Sequence, residues 1–312
     1  MKKIRIKLLL VLVFFGLVTH TNLAFSDSEL TRCNTLLRQY NYDAAFEVCK
    51  ILATQGHAIP QLNLGFMYHN GFGIAQDYTE AANWYRAAAE QGVVYAQDRL
   101  AAMYSFGYGV TQNDAEAKRW FRAAAEQGYD IAQFNLGVMY HNGEGVTQNY
   151  TEAARWFRAA AEQGHVRAQF LLGRMYFDGD GVTQDYAEAA RWYRAAAEQG
   201  FAFAQYSLGG MYYFGEGVTQ HYAEAVRWFR AAAEQGDSDA QFELGSMYFD
   251  GYGVTQDYLL AHVWFNISAA NGKSSATASR NRVSALMSND QITQAQALAR
   301  QCVNSNYTDC GY

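Results

Sequence analysis

Apolar positions along the chain recur in two alternating blocks. In residues 129–164, YDIAQFNLGVMYHNGEGVTQNYTEAARWFRAAAEQG, the first block places Ala132, Leu136 and Met139 at i, i+4 and i+7, one face of a 3.6-residue helix. The second block puts Ala153, Trp156 and Ala160 on one stripe in the same way. Between them GEG breaks the first helix, because glycine tolerates positive φ. Asn149 is an N-cap residue type with Glu152 three positions on, a capping-box pattern that returns as Asp77/Glu80, Asn113/Glu116 and Asp185/Glu188. Gly164 stands where a C′ glycine is expected, as do Gly92, Gly128, Gly200 and Gly236. Gly137, inside the first block, marks a close approach by another backbone. Each pair of blocks predicts a helix, a turn and a second helix.

The pair repeats every 36 residues. Trp84, Trp120, Trp156, Trp192, Trp228 and Trp264 stand in register, and so do Met67, Met103, Met139, Met175, Met211 and Met247. A fixed period of this length predicts an all-α solenoid, in which each unit buries its apolar face only against its neighbours.

The shared pattern, A-Q-x-x-L-G-x-M-Y-x-x-G-x-G-V-x-Q-(D/N)-Y-x-E-A-x-x-W-(F/Y)-x-x-A-A-E-Q-G, resembles the Sel-1-like repeat family, relatives of the tetratricopeptide repeats. It covers six units: 57–92, 93–128, 129–164, 165–200, 201–236 and 237–272. The resemblance implies a right-handed α/α superhelix that binds proteins or peptides, usually without catalysis of its own, with the first helix of each unit on the concave side. The second unit departs most, with Ala101 in place of the glycine and Asp114 in place of the tyrosine.

The flanks differ from the repeats. Residues 1–26 read as a secretory signal: Lys2, Lys3, Arg5 and Lys7 precede an apolar run from Leu8 to Val18, too short to span a bilayer, and Ala24-Phe25-Ser26 suits cleavage before Asp27. Residues 27–56 read as an N-terminal capping hairpin. Cys33 and Cys49 lie eight residues either side of Asn41, facing each other in such a hairpin. Residues 273–312 read as a C-terminal helical cap, with a capping box at Ser288 and Gln291 and a second cysteine pair, Cys302 and Cys310. Four cysteines allow three pairings. Export and sequence separation favour the two local disulfides over metal binding, since no CxxC or nearby histidine pair is present.

Loss of the signal takes the formal net charge from −6 to −10. An acidic chain without a basic tract argues against nucleic acid and against anionic membranes. A search for chemistry returns little. His69 and His141 occupy equivalent positions two units apart and read as exposed; no histidines reach metal-ligand spacing. Asn271-Gly272-Lys273-Ser274 resembles the end of a phosphate loop, but Ile267 stands where its first glycine is needed. Glu152 with Arg155, and Glu162 with Arg158, read as surface helix pairs. The tryptophan ladder reads as core in preference to a sugar-binding surface. No cofactor and no metal are expected.

Repeated positions hold the fold, so positions that differ between units are free for recognition. On the first helices these are Asn63, Phe66, Asn70; Arg99, Ala102, Phe106; Asn135, Val138, Asn142; Leu171, Arg174, Asp178; Ser207, Gly210, Phe214; and Glu243, Ser246, Asp250. They form one stripe away from the Ala/Leu/Met stripe. Ligand contacts are expected to centre on Arg99, Phe106, Asn135, Asn142, Arg174, Asp178 and Phe214, which mix aromatics, amides and charges. The expected protein is a monomeric, non-catalytic scaffold, periplasmic or secreted, binding a protein or peptide in its concave groove, with host-cell contact as one role the resemblance allows. Two alternatives stay open. Cysteine-rich relatives in the resembled family are described as β-lactam-binding or hydrolysing, but carry a cysteine pair in each repeat, whereas residues 57–272 have no cysteine. A glycan or peptidoglycan binder using exposed aromatics is the other.

Overall fold

The computed structural model describes residues 26–311. The predicted signal, residues 1–26, lies outside them apart from Ser26. Among the described residues there are sixteen α-helices and no strand. Helices α1 (Ser26–Arg38) and α2 (Tyr42–Thr54) form the first hairpin. Six pairs follow: α3 (Ala58–Asn70) and α4 (Tyr78–Glu90), α5 (Val94–Phe106) and α6 (Asp114–Glu126), α7 (Asp130–Asn142) and α8 (Tyr150–Glu162), α9 (Val166–Asp178) and α10 (Tyr186–Glu198), α11 (Ala202–Phe214) and α12 (Tyr222–Ala233), α13 (Ser238–Asp250) and α14 (Tyr258–Ala270). Helices α15 (Ser274–Ser284) and α16 (Asn289–Asn304) close the array. Helices α1 to α15 pack on their neighbours in sequence, and α16 packs on α14, so the chain is an α/α solenoid held by nearest-neighbour contacts.

Turn chemistry sets where each helix stops. Gly143 has φ 79° and Gly145 φ 64°, conformations that side chains with a Cβ rarely adopt. A Cβ at Gly145 would also stand 2.7 Å from the carbonyl carbon of Asp114 in the preceding unit. The close backbone approach assigned to Gly137 therefore belongs to Gly145. At Gly137 the neighbour is a ring: an added Cβ would meet Phe157 at 2.6 Å. The caps also differ from the pattern in one respect. Asn149 accepts from the Glu152 backbone N–H, but a complete reciprocal box appears only at Ser288 and Gln291 among the described residues. Glu116, Glu152, Glu188 and Glu224 instead face an arginine three residues on.

Both predicted stripes are buried. Leu64, Leu100, Leu136, Leu172, Leu208 and Leu244 are fully inaccessible, and Trp120, Trp156, Trp192 and Trp228 are 6–7% exposed. The tryptophans are core. Each of these four also carries an arginine over its ring, as with Arg155 at 4.3 Å from Trp156, the same arginine that pairs with Glu152 at 3.0 Å. The pairing of Glu162 with Arg158 does not form; Arg158 reaches the Tyr176 hydroxyl in the next unit.

A polar ladder runs through this apolar interior. Buried Gln133 donates to the Ala125 carbonyl at 3.1 Å, and Gln163 donates to Gln133 Oε1 at 2.8 Å. The same two bonds recur at every junction from Gln61 to Gln235, and Asn271 replaces the last glutamine. The helix-end carbonyl, which in the case of Ala125 also accepts from the Gly128 N–H at 2.9 Å, thereby gains a second donor from the next unit. The glutamine after the glycine turn closes five of the six first helices in the same spirit, as where Gln148 donates to the His141 carbonyl at 2.8 Å.

Disulfides join Cys33 to Cys49 and Cys302 to Cys310, with Cα separations of 5.3 and 4.4 Å. The first is buried among Phe46, Leu52, Leu64 and Met67, tying the hairpin to the first repeat.

Candidate functional site

The second helices bring like residues together, whereas the first helices bring unlike ones. Phe106 is 69% exposed and Phe214 68%, each on the last turn before a glycine. Phe106 stacks on Tyr108 at 5.7 Å, and Phe214 stands edge-on to Tyr213 at 4.9 Å. Arg174 and Asp178 pair with each other at 3.6 Å on the exposed surface. Asn142 donates to Glu144 at 2.8 Å and bonds the His141 ring at 2.9 Å. These four residues and Asn142 are exposed; Arg99 and Asn135 are half-buried.

Arg99 and Asn135 converge on a residue that the variable stripe does not contain. Asp98 is buried, and its Oδ2 accepts from Arg99 Nε and Nη2 at 3.1 and 2.6 Å. Burial raises its pKa above the usual carboxylate range, although the Arg99 charge and hydrogen bonds from Arg99 and Asn135 pull it down. The equivalent positions in the next four units hold Phe134, Phe170, Tyr206 and Phe242. Register comparison alone would have found this exception. Arg99 also lies over the Tyr95 ring at 4.8 Å.

His69 and His141 are not the exposed groups that their scatter suggests, whereas His221 is exposed. His69 and His141 are half-buried, edge-on to Tyr78 and Tyr150 at 5.1 and 5.2 Å, and burial lowers the His69 pKa, with Arg99 acting in the same direction. His165 and His221 accept backbone N–H groups at helix starts, and His262 is buried in the last repeat. Among the described residues no three His, Cys, Asp or Glu side chains are grouped to hold a metal ion. Neither is any helix there long and apolar enough to cross a membrane.

One concavity stands on the first-helix face. It has a volume of about 250 Å³ and opens over α11, between α9 and α13. Phe177, Tyr206, Tyr213 and Phe214 form its walls, Ser207 and Gly210 its floor, and Glu216 and Glu243 its charged groups. Of the seven expected contact residues only Phe214 lines it. Burial raises the Glu243 pKa, and the Lys273 charge opposes that rise.

Comparisons with known proteins follow the same register. A Sel1 repeat family model matches six times, over residues 61–93, 94–129, 130–165, 166–201, 202–237 and 238–273. A protective antigen present in uropathogenic Escherichia coli strains, displaying an SLR fold, is 41% identical with a TM-score of 0.75, over 86% of this chain and 58% of that one. The present chain thus spans less than two thirds of that relative. A Sel1 repeat protein from Oxalobacter formigenes is 31% identical with a TM-score of 0.65, over 78% of this chain and 97% of that one. No curated protein matches.

Proposed function

The chain belongs to the Sel1 repeat family, and from that premise we propose that it is an exported, non-catalytic scaffold whose first-helix face binds a protein or peptide. The observation that carries this reading is the pair of exposed phenylalanines. Phe106 and Phe214 stand where the other four units have Asn70, Asn142, Asp178 and Asp250, so the repeat does not need an aromatic there. Exposed aromatics beside amides and charges are the composition of interface anchors. Contacts centre on Arg99, Phe106, Asn135, Asn142, Arg174, Asp178 and Phe214. Two disulfides support an oxidising compartment. The E. coli relative is a protective antigen, which supports placing this scaffold in the envelope or outside the cell, in reach of a host.

The decisive experiment is affinity capture from the native envelope with mass spectrometry, repeated with Phe106→Ala and Phe214→Ala. Each substitution should weaken the captured complex by about 1 kcal/mol or more and leave the melting temperature nearly unchanged. Variants that bind normally but melt early would show that these rings hold the fold. Intact-mass measurement of the native protein tests export; the expected chain starts at Asp27 or within a few residues of it.

A further inference from the structure

At the middle position of the variable stripe, five first helices carry Phe66, Ala102, Val138, Arg174 and Ser246, and α11 carries Gly210. A glycine inside a helix weakens it, so it needs a reason. Its neighbour Gly209 has one, because a Cβ there would meet the Phe229 ring at 2.7 Å. Gly210 does not: nothing lies within 4 Å of the Cβ it lacks. What its missing side chain leaves is the floor of the cavity over α11.

The chemistry of that cavity is one-sided. Aromatic faces line it, and its only charged walls are Glu216 and Glu243. Two cations near it are already paired, Arg174 with Asp178 at 3.6 Å and Lys273 with Asp239 at 2.5 Å, although the Lys273 charge is also felt at Glu243. One unit further on, the chain fills a comparable slot itself. Phe249, 36 residues beyond Tyr213, has the Arg282 guanidinium 4.9 Å over its ring, with Asp250 lining the same small depression. The residue 36 before Arg282 is Ser246, too short to reach across.

We propose that the Gly210 cavity is a subsite for an arginine side chain of a bound polypeptide, with its stem and guanidinium against Tyr213 and Phe214 and its charge toward Glu243 and Glu216. This inference rests on the reading of the first-helix face as a polypeptide-binding surface. The volume supports a single side chain, being below the roughly 300 Å³ at which pockets begin to engulf whole small molecules. Guanidinium suits the walls better than ammonium, because it is planar, weakly hydrated and stacks on aromatic faces.

A random-peptide display selection on the full chain, followed by synthesis of a recovered peptide, tests the subsite. Arginine should be enriched, and replacing the critical arginine by citrulline, its neutral isostere, should weaken binding at least about tenfold. Glu243→Gln should weaken the arginine peptide to a similar degree and leave the citrulline peptide unaffected. Gly210→Val, which copies Val138, should abolish the arginine preference with a melting temperature at or above that of the parent. Peptides that bind citrulline equally well, or that bind Gly210→Val undiminished while losing affinity for Phe106→Ala, would overturn the subsite and leave the groove reading standing. A selection that recovers no peptide would overturn both.

Discussion

The two faces of this solenoid are made from the same 36-residue unit and obey different rules. On the second-helix side the four middle units repeat the same arginine-covered tryptophan and the same glutamine bond to the neighbour. On the first-helix side one stripe is free to hold phenylalanine, asparagine, arginine or nothing at all. The difference follows from what each face touches. Residues facing the next unit must match a copy of themselves, and residues facing solvent need not. Internal repetition is thus a readout of contact between units, and its absence a readout of freedom.

The largest effect that would break this comparison is an equal cost on both faces. Trp156→Ala should destabilise the array by about 3–5 kcal/mol, the range for a buried large side chain, while Phe106→Ala should lie within about 0.5 kcal/mol of the parent. Chemical denaturation of both variants decides it. Since repeats are coupled only to neighbours, the Trp156 variant should also broaden or split the unfolding transition.

Next in size is the glutamine ladder. Gln133→Leu removes one of two donors to the buried Ala125 carbonyl, which keeps the Gly128 N–H, and one acceptor for Gln163, which keeps the Gly128 carbonyl. Losing these two bonds, with both partners still met, should cost about 0.5–1.5 kcal/mol each. Gln76→Ala, which frees only the exposed first-helix terminus at His69, should cost less. Equal values would mean that burial between units is not what makes the ladder matter.

How much of this was legible beforehand divides along the same line. Helix pairs, the apolar stripes, the core role of tryptophan and both local disulfides follow from spacing, because each depends on residues close in the chain or repeated at a fixed period. The glutamines were visible as invariant letters, but their role was not, since the bond joins Gln163 to a residue 30 positions earlier. The misplaced backbone approach at Gly137 has a similar cause: Gly137 and Gly145 both recur along the chain but for different reasons, and only three-dimensional distance separates a ring from a carbonyl. Of the expected contact residues, composition identified exposed Phe106 and Phe214. The cavity beside Phe214 was illegible because an empty position is made by what surrounds it.

A smaller effect, carried by one carboxyl, concerns Asp98, the one charged residue in a column otherwise made of Leu62 and aromatics. Its folded-state pKa is raised by burial, so the native state favours its protonated form. The contribution of Asp98 to stability is therefore most favourable in acid and falls as pH rises through that raised pKa. Relative to Asp98→Asn, which does not titrate, the parent should gain stability as pH is lowered from neutral into the carboxylate range. A difference between the two proteins that is flat with pH would show that Arg99 and Asn135 fully compensate the buried charge.

The smallest predicted effect lies within a single dipeptide. Gly209 and Gly210 share one helix and nearly one backbone geometry, but Gly209 faces the Phe229 ring and Gly210 faces open space. Gly210→Ala should raise stability by about 0.5–1 kcal/mol, the helix-propensity difference between the two residues. Gly209→Ala carries the same propensity gain, but its Cβ would need the Phe229 ring to move, and overpacking of this kind costs about 1–3 kcal/mol. Ala101 stands at the equivalent position of the second unit and is accommodated there beside Phe121, so Gly209→Ala should fold and report the cost of adjusting one junction. Thermal melts of the two single variants should place Gly210→Ala above the parent and Gly209→Ala below it. If both rise, the ring yields freely and the recurrent glycine is a matter of history more than of packing. If both fall, Gly210 serves the fold, and the cavity above it is a by-product of packing.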